Sequence, residues 1–143
     1  MADKYAAEMI EVQDARRIAE AVVSDPKFWM EVSTIDVRLG YQARRSFITI
    51  RITVAPLPWW RSFSSETAKT DGNETVIRTW WIHKATLPEL AATIVHEQIH
   101  APPCSFRHAS KYFIDRETDF AYQVEKIALK YAIKYGEKLA MEV

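Results

Sequence analysis

Residues 86–100 read TLPELAATIVHEQIH, and the rest of the chain is organised around this stretch. Thr86 with Glu89 three residues on forms a capping-box pair, and Pro88 falls in the first turn. The pattern predicts a helix over about 87–101, stopped by Pro102-Pro103. Leu90, Ala91, Ile94, Val95 and Ile99 give it an apolar face for seating on a core. His96 and His100 are four residues apart, so a helix turns both imidazoles to one side, where their nitrogens can meet a single metal ion. Glu97 lies beside them and is directed at a water activated by that ion, as a general base. Neutral imidazole suits a borderline-soft cation, and Zn²⁺ is the expected cofactor.

A hydrolytic zinc site takes a third protein ligand and keeps its fourth position open. His108, eight residues beyond His100, is the first candidate. Glu117 is the second: its carboxylate falls on the same face as Phe120, Ala121 and Val124, where an acid needs a partner. Asp119 and Cys104 are weaker candidates. Of His108 and Glu117, the one that does not ligate can orient a histidine that does.

Working outward, residues 4–23 carry an amphipathic pattern from Ala6 to Val23 and predict a first helix, ended at Asp25-Pro26. Ile35, Val37 and Leu39 alternate with Asp36 and Arg38, a strand signal, with Gly40 near a turn. Ile48, Ile50, Ile52 and Val54 alternate with polar residues and predict a second strand, hairpin-paired with the first. Residues 59–74 read as a long polar loop around Trp59 and Trp60, with a turn at Asp71-Gly72-Asn73. Thr75 to His83 (TVIRTWWIH), β-branched and aromatic, predicts a third strand. Trp80, Trp81 and His83 are its cleft-edge candidates. His108 to Phe113 reads as a short helical turn, and a last long helix is predicted from about Asp115 to Leu139. The fold class expected is α+β: an N-terminal helix, a small three- to four-stranded, mostly antiparallel sheet, the helix bearing the histidines, and a long C-terminal helix.

The chain has 143 residues, with 19 basic and 19 acidic side chains. That length suits a single domain over 1–143. Neutral charge argues against a nucleic-acid binder with an overall basic footprint. The balance is local, however: residues 1–31 hold four basic and seven acidic groups, and residues 32–82 hold seven basic and four acidic. One cysteine, Cys104, excludes an intrachain disulfide. The N-terminal stretch has no apolar core of the signal-peptide kind, and no 18-residue apolar run occurs, so a cytoplasmic protein without a membrane span is expected.

LPELAATIVHEQIHA followed by RHASKYF resembles the SprT-like and related minimal zincin metallopeptidases over about residues 75–114. The resemblance implies a zincin-like fold, with His96, His100 and His108 as ligands and Glu97 as the catalytic acid/base. No zinc ribbon of the kind many SprT-like proteins carry is possible with one cysteine, so a DNA-associated substrate has no support. Arg116-Glu117-Thr-Asp-Phe-Ala-Tyr122 also resembles zincins with a glutamate ligand, which would put Glu117 on the metal instead of His108. Peptide deformylases place their cysteine before the helix, and metzincins need Gly and His where Pro103 and Phe106 stand. Both are set aside. The expected activity is zinc-dependent hydrolysis of a protein or peptide, with Tyr112, His83 or an arginine as oxyanion donor. The alternative is a zincin-fold binding or regulatory module with a zinc site and little or no proteolysis. Oligomeric state is not legible in the sequence.

Overall fold

Residues 4–47, 50–61, 64–108 and 115–141 are described by a computed structural model of the protein. The predicted histidine helix is present as α5, Leu87–His100, and it is the centre of the molecule. Both halves of its capping box form: Thr86 Oγ1 accepts the Glu89 N–H, and the Glu89 side chain accepts the Thr86 N–H. Every residue from Leu90 to Ile99 is buried, because α5 is covered on several sides.

Its neighbours are α1 (Ala6–Val23), α6 (Phe120–Met141) and a small sheet. Val12, Ile18 and Val22 of α1 meet Ile94, Val95 and Ile99 of α5 in one apolar core, which Val124 and Ala128 of α6 complete. The long last helix therefore exists, but it starts at Phe120. Residues 115–119 form the turn before it.

The first of the two predicted strands, and with it the hairpin, is absent, whereas the second is realised as the strand Arg51–Ala55. Residues 26–46 are two helices, α2 (Pro26–Ile35) and α3 (Val37–Ser46). Asp25 caps the first, its side chain accepting the Lys27 N–H at 2.9 Å. Asp36 ends α2 in an extended conformation and caps α3, its Oδ1 accepting the Leu39 N–H at 2.8 Å. The alternation of Ile35, Val37 and Leu39 thus straddles a helix boundary, and Val37 is exposed. Gly40 lies inside α3, where a Cβ would come within 3.4 Å of Val32 and Ser33 of α2. It permits the close crossing of the two helices instead of making a turn.

The sheet has three strands in the order β1-β3-β2: β1 is Arg51–Ala55, β2 is Ala68–Asp71 and β3 is Glu74–Arg78. It is mixed. β1 pairs with β3 in parallel (Ile52 opposite Thr75), and β2 pairs with β3 antiparallel (Thr70 opposite Thr75). The predicted polar loop therefore contains a 3-10 turn (Trp59–Arg61) and an edge strand. The turn at 71–73 joins β2 to β3, with Gly72 at a φ of 60°, where a side chain is disfavoured.

The predicted strand over 75–83 ends at Arg78. From Thr79 to Lys84 the chain is a short helix, α4, so Trp80, Trp81 and His83 are helical residues. Ile82, buried between them, packs α4 into the core. No helix among the described residues is long and apolar enough to cross a membrane.

Candidate metal centre

The C-terminal half of α5 forms the floor of an open cleft of about 1070 Å³. One wall is the segment 64–72 together with α4. The other is the loop after α5, Arg116, and Tyr122 and Glu125 of α6. His96, His100 and His108 converge between these walls, with a donor nitrogen from each lying within 4.8 Å of the other two. Two nitrogens bound about 2.0–2.1 Å from one tetrahedral zinc stand about 3.4 Å apart. His96 Nε2 and His100 Nε2 are 3.3 Å apart, so the helix pair already has that spacing.

The second nitrogen of each histidine shows how the ring is set. His100 Nδ1 is 2.7 Å from the Phe106 carbonyl. A carbonyl only accepts, so Nδ1 carries the proton and Nε2 turns a lone pair to the cleft. The loop that supplies this carbonyl is tied back to α5: the Phe106 N–H donates to the Ile99 carbonyl at 2.9 Å, and the Ser105 N–H donates to the Ala101 carbonyl at 2.9 Å. His108 Nδ1 donates to Asp119 Oδ2 at 2.6 Å, which leaves its Nε2 free. The other oxygen of Asp119 accepts the Tyr122 N–H at 3.2 Å, capping the first turn of α6. One carboxylate thus holds both a helix end and a histidine.

His96 differs from the other two. Its Nδ1 is buried and has no hydrogen-bond partner. Glu125 Oε1 lies 3.5 Å away, in ion-pair range but too far for a good hydrogen bond. Burial lowers the His96 pKa to about 3, with the His100 and His108 charges adding to the shift. Burial likewise lowers that of His100, against the opposing pull of the Phe106 carbonyl. Both rings are therefore neutral at ordinary pH, the form that binds a metal. Three imidazole nitrogens converging on one point, the His96 and His100 Nε2 pair already at the spacing of two zinc ligands, fit a borderline cation such as zinc.

Glu97 is also buried, and burial raises its carboxyl pKa to about 8. The Thr70 hydroxyl opposes this by donating to Glu97 Oε1 at 3.2 Å, while the charges of Glu125 and Glu66 reinforce it. Glu125, half-buried on α6, is pushed up to about 7 by burial, against the pull of Arg116.

The remaining sequence candidates fall in several places. Glu117 is exposed in the turn before α6 and is not one of the clustered residues. Asp119, the weaker candidate, holds His108. Cys104 is buried, with its N–H bonded to Ser46 Oγ at 3.0 Å. Tyr112 and the short helical turn expected over His108 to Phe113 lie outside the described residues, apart from His108 itself. Trp80 and Trp81 do line the cleft, from a helix instead of a strand. His83 points elsewhere: its side chain is exposed and its Nε2 lies 3.2 Å from Glu8 on α1. The strand that borders the cleft is β2, and the sequence reading missed it. Tyr122 and Glu125 were also missed as site residues. The signal available for them was the spacing Asp119, Tyr122, Glu125, three polar positions at helical intervals beside an apolar stripe.

No protein-family model, curated protein or solved structure matches this chain.

Proposed function

We propose that this chain is a zinc-dependent peptidase with a minimal zincin-like fold. The observation that carries the reading is the convergence of His96, His100 and His108 on the cleft floor beside the buried Glu97 carboxyl. His96, His100 and His108 would hold the ion. Bound zinc would supply Lewis acidity, bringing the pKa of a water toward about 7 and polarising a scissile carbonyl. Beside a divalent charge the Glu97 carboxyl is pulled back toward its ionised form. There it accepts the proton of the attacking water and passes it to the leaving amine. Its low-dielectric surroundings keep that proton local until the amine departs.

Tyr122 is the oxyanion donor this cleft offers. Its ring lies 4.7 Å from that of His96 and 5.4 Å from that of His108, centroid to centroid. Burial raises its phenol pKa, so the hydroxyl keeps its proton to donate. Arg116 stacks over the same ring at 4.9 Å.

The substrate is a protein or peptide bound in extended form. The Arg78 N–H donates to the Thr67 carbonyl at 2.8 Å, which sets the antiparallel ladder so that Lys69 and Asp71 face β3. Ala68 and Thr70 therefore turn their backbone N–H and C=O groups to the outer edge of β2, beside the cleft. An extended chain can add there as a further strand.

The test is purified full chain incubated with an unfolded protein substrate, with zinc content measured in parallel. Cleavage that is lost on chelation and restored by zinc is expected. Stoichiometric zinc with no cleavage of any peptide would instead favour the binding-module alternative. Absence of zinc binding would end both readings.

A further inference from the structure

On the α4 part of the cleft wall, the indole N–H groups and the neighbouring Glu66 carboxylate are satisfied within the protein. The Trp80 indole N–H donates to the Glu66 carbonyl at 2.8 Å. The Trp81 indole N–H donates to Thr93 Oγ1 at 2.9 Å, and the Thr93 hydroxyl in turn donates to the Glu89 carbonyl at 3.0 Å. The Glu66 carboxylate is taken by Arg78, whose Nε and Nη2 both lie 2.9 Å from Oε2. With both indole donors committed, what Trp80 and Trp81 offer a ligand is ring face. The rings are half-buried, meet at 66° with centroids 5.8 Å apart, and both line the cleft.

Their position relative to the chemistry is fixed by α5. Thr93, against which Trp81 rests, precedes Glu97 by four residues on the same helix face. The residue that anchors Trp81 therefore stands about one helical turn, roughly 6 Å along the axis, from Glu97 on α5. That is about the reach of one side chain from a scissile bond held over the histidines. The facing wall carries charge, from Arg107, Arg116 and Glu125. A chain lying along β2 sends alternate side chains to the α5 face, and those toward α4 meet the indole faces of Trp80 and Trp81.

We propose that Trp80 and Trp81 form an apolar subsite that selects a large aliphatic or aromatic side chain of the substrate next to the bond cleaved. The proposal rests on the peptidase reading for its substrate and on the cleft geometry for its selectivity. Burying such a side chain against two indoles, in place of a small polar one, corresponds to a preference of about 10–100-fold. Neither tryptophan is a catalytic residue, so the selectivity is a ratio between substrates.

The experiment uses the full chain with peptides identical except at one position, carrying Phe, Leu, Ser or Asp. Relative kcat/KM is read for each peptide with zinc-loaded protein, and calorimetric affinity is read with the Glu97→Gln variant. Phe and Leu are expected to exceed Ser and Asp by about 10–100-fold in both measurements. In Trp80→Ala and Trp81→Ala the Phe-to-Ser ratio should fall toward one. A ratio taken on one preparation does not depend on how much of the variant is folded. Trp81→Phe, which keeps a ring face but loses the bond to Thr93, should retain the preference.

Cleavage of all four peptides at equal rates would overturn the subsite while leaving the peptidase reading standing. Selective binding of the Phe peptide that is lost in Trp80→Ala, with no cleavage by any preparation, would keep the subsite and overturn the peptidase reading. Absence of both binding and cleavage would overturn both.

Discussion

The two walls of the cleft are built on opposite plans. On the α6 side, polar groups fix other polar groups: the Phe106 carbonyl sets His100, and Asp119 sets His108. On the β2 and α4 side, both indole N–H groups are satisfied by the protein itself, leaving indole faces and a strand edge toward the cleft. The first wall is pre-set for a small, highly charged ion whose ligands must be held in place. The second suits an extended chain whose backbone is always the same and whose side chains are mostly carbon. Helix α5 lies between them and serves both, with His96 and His100 toward the proposed ion position and Thr93 behind Trp81. Glu97 belongs to each side, since its nearest hydrogen-bond partner, Thr70, comes from β2.

The largest effect expected from a single change follows from that shared position. Glu97→Gln removes proton transfer and should lower kcat by about 10²–10⁴-fold. Zinc content, measured on the same preparation, should be unchanged, because neither wall's contacts to the histidines are altered. Retained turnover would show that Glu97 belongs to the β2 wall only.

Asp119→Ala tests the other wall. It frees His108 to rotate and should weaken zinc affinity by about 10–100-fold, read by competition with a chelator of known affinity. Glu117→Ala, exposed and outside the cluster, should leave that affinity at the wild-type value. The opposite ranking would transfer the third-ligand role to Glu117.

A pH effect on the metal-free protein sharpens the contrast further. His96, with its pKa lowered to about 3, is neutral in the folded state while the unfolded chain still binds a proton, so its contribution makes stability rise with pH up to about 6.5. Glu97, raised to about 8, keeps its proton in the folded state after the unfolded chain has lost it. Its contribution makes stability fall with pH from about 4.5 to about 8. Above pH 6.5 the histidine gain is complete and the Glu97 loss continues. Melts of chelated protein should therefore show Tm falling between pH 6.5 and 8, and Glu97→Gln should flatten that slope. Equal slopes in the two proteins would mean that Glu97 is not held in its protonated form.

The smallest effect concerns the β2 wall alone. Gly72→Ala puts a side chain on the left-handed residue of the β2–β3 turn and should cost about 1 kcal/mol in urea unfolding. Zinc affinity is expected to stay at the wild-type value.

The two walls were unequally legible in the sequence. The helix of the histidines announces itself at both ends, by Thr86 with Glu89 and by Pro102-Pro103, so its span and the shared side of His96 and His100 could be read directly. His108 could be named, but the residue that orients it was undervalued: Asp119 lies off the apolar stripe because its task is capping α6 and holding a ring. On the other wall, AKTD offers no apolar alternation, so β2 is a strand only because β3 pairs with it. TWWIHK looks like a strand by composition, since β-branched and aromatic residues favour one. The burial of Ile82 and the indole bonds to Glu66 and Thr93 make it a helix instead. Ile35, Val37 and Leu39 misled for a different reason: their alternation crosses Asp36, and an aspartate at the start of a new periodicity is also a helix cap.

Asp119 carries one further consequence. Because its two oxygens are divided between the Tyr122 amide and His108, occupancy of the metal position and integrity of the first turn of α6 are thermodynamically linked. Free energy spent in fixing the ring also tightens the cap, and the reverse holds equally. With the proposed ion bound, the Tyr122 amide would be a built-in reporter, exchanging its hydrogen with solvent more slowly at a position linked to the ion only through Asp119 and His108.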